Sequence, residues 1–346
     1  METKIIKAYD EAGLKYAASM LREGKTVIFP TETVYGLGAD ASNGSAIKDI
    51  FTAKGRPQDN PLIVHIPFPD DIEKYAHTES SIFFKRIAKE FMPGPITVIL
   101  PKKEIISSEA TAGLDSVGMR CPSHETAHRL LLYAKVPVAA PSANISGRPS
   151  PTEFAHVFED MNGKVPFIID GGKVDIGLES TVVSLLGEKV RILRPGGVTP
   201  EMLISVCGEE NVITDEGVFG KLKEGQKPLS PGMKYRHYAP AAKITAVKGS
   251  DGSVRAFFKE KLDLGCAVLC WNEDKAFLPQ NPKVLSMGSE EDFEAQASLL
   301  FEKLRAFDET NVKEIYARCP SREGLGLAVY NRLLRACAFE VIELDK

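Results

Sequence analysis

The sequence predicts an α/β protein built as two domains, and three observations carry that expectation. The chain has 346 residues, more than one ordinary core takes and enough for two. Segments with apolar residues at helical spacing alternate with short apolar runs of strand length along most of it. Between Cys207 and Pro240 the alternation fails, and Gly208, Gly217, Gly220, Gly225, Pro228, Pro231, Gly232 and Pro240 interrupt any period.

The first element is a helix over 10–23, with Leu14, Ala17, Ala18 and Leu21 on one face and a stop at Gly24. Thr26-Val27-Ile28-Phe29 then reads as a short buried strand. A helix around Ile47, Ile50 and Phe51, a strand over 62–66, a helix over 83–91 and a strand over 96–100 continue the pattern. They are followed by a helix near 125–134, strands near 137–140, 167–169, 181–185 and 190–193, and a helix after Pro200. Beyond the interruption, strands at 243–247, 266–270, 313–317 and 339–342 alternate with helices near 251–261, 291–306 and 323–336, the pattern of a small parallel sheet. The expected division is a catalytic domain over 1–208, a linker or lid over 209–241, and a second domain over 242–346.

Composition narrows the classes of function. A 43% hydrophobic and 26% charged chain is ordinary for a globular protein. A net charge of −4 argues against coating nucleic acid through the overall field, although a local basic cleft and weak RNA binding stay open. The start lacks the apolar core of a signal peptide, and no run approaches the ~20 apolar residues of a membrane span. A cytoplasmic protein with no membrane partner is expected. The six cysteines contain no Cys-x-x-Cys pair and read as reduced, small apolar residues.

Two motifs mislead. Gly24-Lys25-Thr26 matches the tail of a phosphate-binding P-loop, but its order is helix then strand, the reverse of that motif. His124-Glu125-Thr126-Ala127-His128 matches a zinc-hydrolase pattern, in which two histidines one turn apart hold the metal beside a basic glutamate. Pro122 and Ser123 place His124 in the first turn of its helix, and no third ligand follows at a known spacing, so no zinc is expected. Gly324-Leu325-Gly326 in the second domain lacks the third glycine of a dinucleotide loop.

The stronger signals are loops at strand ends, where α/β proteins place ligands. Pro30-Thr31-Glu32-Thr33-Val34-Tyr35-Gly36-Leu37-Gly38 reads as a loop of hydroxyls and glycines leaving a buried strand. Lys54-Gly55-Arg56-Pro57 through Asn60-Pro61-Leu62 sets two cations before rigid prolines, a clamp for phosphate oxygens. As cations of an exposed loop, Lys54 and Arg56 should matter little to stability and much to developing phosphate charge. Ala140-Pro141-Ser142-Ala143-Asn144-Ile145-Ser146-Gly147-Arg148-Pro149-Ser150 adds small hydrogen-bonding groups in a proline-limited loop. Glu179-Ser180-Thr181-Val182-Val183 and Leu193-Arg194-Pro195-Gly196-Gly197 each have the composition of an ordinary turn.

Taken together and in this order, these segments resemble the YrdC family, and nearly the whole chain resembles its long, two-domain form. Arg120-Cys121-Pro122-Ser123-His124 is similar to a family segment as well, and Ser230-Pro231-Gly232-Met233-Lys234-Tyr235-Arg236-His237-Tyr238-Ala239-Pro240 resembles the family's linker, with Arg236 where Thr is common. The resemblance implies a YrdC-like twisted mixed sheet followed by a smaller Rossmann-like parallel-sheet domain. It implies a nucleotidyltransferase that makes L-threonylcarbamoyl-AMP and pyrophosphate from L-threonine, bicarbonate and ATP, with Mg2+ accompanying ATP. A tRNA threonylcarbamoyl transferase would receive the product for the adenosine beside an anticodon.

Carried over by position, Lys54, Arg56, Asn60, Ser116, Ser142, Asn144, Ser150 and Arg194 should face ATP, joined by Tyr235 and His237 of a linker that covers the nucleotide. Lys54 and Arg56 take the catalytic role. Thr33, His65, Arg120, Ala140 through its backbone, and Ser180 should face threonine. Such a site works by positioning and charge stabilisation, without a protein nucleophile. The alternatives are a double-stranded RNA binding module, an enzyme making a different carbamoyl-adenylate, and a zinc hydrolase using His124 and His128.

Overall fold

The computed structural model describes residues 1–220 and 237–345. They form two compact units, one of residues 1–146 and 151–220, the other of residues 147–150 and 237–345. The four residues Gly147–Ser150, counted with the first domain from sequence, cluster with the second.

In the first unit eleven strands make one mixed sheet. They are β1 (Lys4–Lys7), β2 (Val27–Phe29), β3 (Gly36–Asp40), β4 (Ile63–His65), β5 (Ile96–Pro101), β6 (Ser116–Arg120), β7 (Val138–Ala139), β8 (Phe167–Asp170), β9 (Thr181–Ser184), β10 (Val190–Arg194) and β11 (Val212–Thr214). Their order is β1-β8-β2-β3-β7-β4-β6-β5-β9-β10-β11, with parallel and antiparallel neighbours, as the expected mixed sheet requires. Four of these strands, β1, β3, β6 and β11, are absent from the sequence reading, and two of them replace something else expected there. Gly36–Asp40 is a fully buried strand rather than a glycine loop, because its glycines admit close neighbours: a Cβ on Gly38 would sit 2.7 Å from both Phe29 and Val138. Val212–Thr214, expected in the linker, pairs in parallel with β10 and ends the sheet.

The helices α1 (Glu11–Arg22), α2 (Gly44–Lys54), α3 (Phe84–Phe91), α4 (Glu125–Ala134), α5 (Phe154–Met161) and α6 (Pro200–Cys207) cover the sheet unevenly. Ile47, Ile50 and Phe51 of α2, Ile87 of α3, Val157 of α5 and Leu203 of α6 share one apolar cluster with Val64, Val98, Val117, Met119, Val183 and Ile192 of the strands. On the other face, Leu14 and Leu21 of α1 and Leu130 and Leu131 of α4 bury Val27, Phe29, Val138, Phe167 and Ile169. That second helical layer reaches β7. Beyond it the same face holds a four-residue apolar cluster, Ile63, Ile99, Val182 and Leu193, and a row of polar side chains.

The second unit is the expected parallel sheet. Its strands β12 (Lys243–Lys248), β13 (Ala267–Cys270), β14 (Val284–Ser286), β15 (Glu314–Arg318) and β16 (Val341–Glu343) run in the order β14-β13-β15-β12-β16. Val247, Val254, Phe258, Val268 and Leu278 are among its core. Within this unit the Arg305 guanidinium donates to Pro149 O at 2.6 Å, and Ala239 N donates to Gly147 O at 3.0 Å. No helix among the described residues is long and apolar enough to cross a membrane.

Candidate active site

The polar row follows from strand register. His65 of β4 lies opposite Arg120 of β6, Arg120 opposite Thr97 of β5, Thr97 opposite Val182 of β9, and Val182 opposite Arg194 of β10. Directly paired residues share a face, so His65, Arg120, Thr97 and Arg194 stand side by side. Alternation then puts Ser116 and Gly118 on that face too, with Ser116 about 13 Å along the strand from Arg120. Gly118 leaves the middle open: a Cβ there would meet Thr97 Cγ2 at 3.2 Å and Ile63 Cγ1 at 3.6 Å.

All of the row is desolvated. His65 and Arg120 are each 4% exposed, Thr97 and Ser180 0%. Burial, and secondly the Arg120 charge, pull the His65 imidazole down to about 3, so it is neutral near pH 7. Its Nδ1 lies 3.1 Å from Ile63 O, and the ring also meets the Val138 backbone.

Ser180 is held from two sides. Its Oγ is 2.8 Å from Thr97 Oγ1, while Arg194 donates from Nη2 to Ser180 Oγ at 3.2 Å and from Nε to Ser180 O at 3.1 Å. Gly196 lets the two chains meet, since a Cβ there would be 2.4 Å from Thr181 N. The two segments that look like separate turns in the sequence therefore form one structure.

The loop after β2 completes this end. Thr31 Oγ1 accepts from Thr33 N at 3.2 Å and Val34 N at 3.3 Å, a local turn that leaves Thr33 buried with its hydroxyl 2.9 Å from that of Thr31. Glu32, between them, accepts at Oε1 from Arg120 Nη2 at 2.7 Å. Neither Glu32 Oε2 nor Arg120 Nε has a hydrogen-bond partner among the described residues. Ala140 N donates to Ile63 O at 2.9 Å and brings the third loop beside β4.

A second cluster lies where α2 ends. Lys54 is its last residue, stopped by Gly55 in the left-handed region at φ 60. Contrary to the expected exposed loop cation, Lys54 is 1% exposed. Its ammonium donates to Ser142 O and Asn144 O, each at 2.5 Å, and reaches Asn144 Oδ1 at 3.4 Å. The helix, rather than a loop, fixes its position, and the ammonium ties the Ser142-Ala143-Asn144 turn. Ser142 Oγ donates to Asn144 Oδ1 at 2.5 Å, and Ala143 N donates to Tyr35 O at 2.8 Å, joining this turn to the loop after β2. Arg56 follows half-buried. Asn60, 1% exposed before β4, has an Oδ1 without a hydrogen-bond partner among the described residues.

Other expected site residues fall elsewhere. Ser150 and His237 belong to the second unit, where the His237 ring lies 5.6 Å from that of Tyr238. Tyr235 and the rest of the 230–236 segment lie outside the described residues. His124 is the N-cap of α4, its Nδ1 accepting from Thr126 N at 3.2 Å, and the His128 ring packs edge-on against Phe68 at 5.2 Å. Among the described residues no group of three or more His, Cys, Asp or Glu side chains is placed to hold a metal ion. Glu32 and Thr97 escape the sequence reading of the site. The signal for each was a lone polar residue in an apolar setting: an acid leaving a buried strand, and one hydroxyl inside Ile96–Leu100.

Known proteins resemble this chain in sequence and in fold. Residues 19–196 match the Sua5/YciO/YrdC family model, described as telomere recombination, and residues 198–338 match the C-terminal domain of threonylcarbamoyl-AMP synthase. The chain is 44% identical to a threonylcarbamoyl-AMP synthase of Pyrococcus abyssi over 97% of each protein. It is 43% identical to one of Bacillus subtilis, over 94% of this chain and 93% of the relative. A crystal structure of P. abyssi Sua5 complexed with L-threonine superimposes with a TM-score of 0.90 at 41% identity, covering 99% of both chains. The chain belongs to the threonylcarbamoyl-AMP synthase family, in the form that carries both domains.

Proposed function

We propose that this protein condenses L-threonine, bicarbonate and ATP into L-threonylcarbamoyl-AMP and pyrophosphate. The observation that carries the reading is the buried polar row, in which Arg120, neutral His65, Ser180 and Arg194 meet on one sheet face in a chain of this family. The threonine ammonium loses a proton and its nitrogen attacks the bicarbonate carbon, water leaving to give a carbamate; a carbamate oxygen then attacks the α-phosphorus of ATP as the bond from that phosphorus to pyrophosphate breaks.

Thr33, His65, Arg120, Ser180 and the Ala140 backbone are assigned to threonine. Lys54, Arg56, Asn60, Ser116, Ser142, Asn144 and Arg194 are assigned to ATP. Lys54 acts through the turn it ties, and Arg56 supplies the cation for charge developing on phosphate. Burial, then the Glu32 charge, push the Cys121 thiol beside Arg120 up to about 12, so it stays protonated and offers no competing nucleophile. Magnesium enters as part of MgATP, held by phosphate oxygens and water. In a cytoplasmic setting a tRNA threonylcarbamoyl transferase would take the product.

The test is mass-spectrometric detection of threonylcarbamoyl-AMP after mixing the full chain with MgATP, bicarbonate and threonine, alongside pyrophosphate release with and without threonine. Threonine-dependent release with the adenylate present is expected. Release that ignores threonine would point to a different carbamoyl-adenylate, and no release at all to a binding module.

A further inference from the structure

Glu32 and Arg120 form a buried ion pair whose hydrogen bonding is satisfied on one side only. Both side chains are about 95% buried, at 6% and 5% exposure, and a single contact joins them, Arg120 Nη2 to Glu32 Oε1 at 2.7 Å. A guanidinium and a carboxylate can meet through two parallel bonds, and desolvating both charges is ordinarily matched by filling their remaining sites. Here Glu32 Oε2 and Arg120 Nε are buried without a hydrogen-bond partner among the described residues. One is an anionic acceptor and the other a cationic donor. Leaving both empty opposes folding unless water or a ligand supplies the complement, and a ligand that carries both charges can displace such water.

The complement is a cationic donor and an anionic acceptor in one small molecule, which is what a free α-amino acid carries in its ammonium and carboxylate. The loop geometry suits the task. Ile176 N donates to Glu32 O at 2.9 Å and Gly177 N to Thr33 O at 3.2 Å, so the backbone that follows the Glu32 side chain is held. We infer that Glu32 Oε2 binds the α-nitrogen of the amino-acid substrate while Arg120 Nε receives its carboxylate, making Glu32 a specificity-determining residue. The inference rests on the proposed use of threonine. It assigns the atom that requires a basic nitrogen at Cα and that holds this nitrogen before it takes up the bicarbonate carbon. A carboxylate that merely orients Arg120 would affect every carboxylate ligand alike, whereas one that binds the ammonium affects only ligands that have it.

Calorimetric titration of the full chain separates the two. L-Threonine is compared with 2,3-dihydroxybutanoate, the same skeleton with a hydroxyl in place of the amine. Wild type should prefer threonine by about 10- to 100-fold, the range for a buried charged hydrogen bond. Glu32→Gln should lose most of that preference by weakening threonine binding, with 2,3-dihydroxybutanoate and ATP affinities kept within about threefold. Glu32→Asp, which keeps the charge, should recover part of it. Equal weakening of both ligands in Glu32→Gln would overturn the inference. If Glu32→Gln fails to fold, wild type alone decides, because equal affinity for the two ligands sinks the inference while leaving the synthase reading intact. Wild type that binds neither ligand would remove the threonine reading, and this inference with it.

Discussion

Lys54 and Arg120 are both buried cations beside strand-end loops, and the protein treats them in opposite ways. The Lys54 ammonium spends its donors on Ser142 and Asn144, so its charge is consumed in shaping a turn. Arg120 has one contact to Glu32 and an Nε that is left over. A buried polar group that is satisfied internally builds the scaffold, and one that is half satisfied keeps a bond for water or a ligand to make. Burial also separates Lys54, 1% exposed, from half-buried Arg56, two cations that a motif reads as one clamp.

The largest effect should come from breaking the Arg120 pair. Arg120→Leu leaves the Glu32 carboxylate buried and alone, and should cost about 3–5 kcal/mol in denaturant unfolding as well as the reaction. The Glu32→Leu/Arg120→Leu double variant should regain most of that stability and none of the activity. A double variant as unstable as the single one would show that the uncompensated charge was not the cause.

Lys54→Met comes next, with about 2–4 kcal/mol lost because two buried carbonyls lose their donor. Arg56→Ala should keep more stability than that, yet release pyrophosphate about a hundredfold more slowly. Equal stability losses in both variants would erase the distinction drawn between them.

The row itself has a pH signature. Since the folded-state value of His65 is pulled down to about 3 from an ordinary 6.5, the unfolded chain binds the extra proton in between. The contribution is fully present above about pH 6.5 and is lost as pH falls toward 3, with a slope of at most about 1.4 kcal/mol per pH unit. His65→Gln should flatten the stability profile between pH 6 and pH 4, a range set by that shift. An unchanged slope would mean the histidine is not held neutral by its surroundings.

The smallest effect tests the location of the site. Gly118→Val crowds the middle of the face, where a Cβ meets Thr97 Cγ2 at 3.2 Å, and should weaken ATP or threonine binding about tenfold at a stability cost of about 1–3 kcal/mol. Unaltered binding of both would place the ligands elsewhere.

Much of the fold could be read in advance because its elements announce themselves locally. The α4 helix begins after a proline and follows a helical apolar period to Ala134, and the second unit's strands are apolar runs separated by amphipathic helices. Gly36–Asp40 and Ser116–Arg120 were not read as strands. The first is rich in glycine because neighbouring side chains occupy the space, and the second hides its Val117/Met119 alternation behind residues chosen for the open face.

The residue types of the site, hydroxyls, arginines and glycines in five ordered loops, were present in the linear chain and identify its family. Their partnerships were not. Glu32 meets Arg120 across a sequence separation of 88 residues because the loop after β2 reaches β6, and Ser180 meets Thr97 across 83 because strand register sets β5 beside β9. Whether a lysine is a free clamp or a buried tie depends on where its helix ends relative to a distant turn. Local periodicity carries information about which face of an element is apolar, but the pairing of strands, a long-range cooperative choice, settles which polar groups share a dry space and which are left open to a ligand.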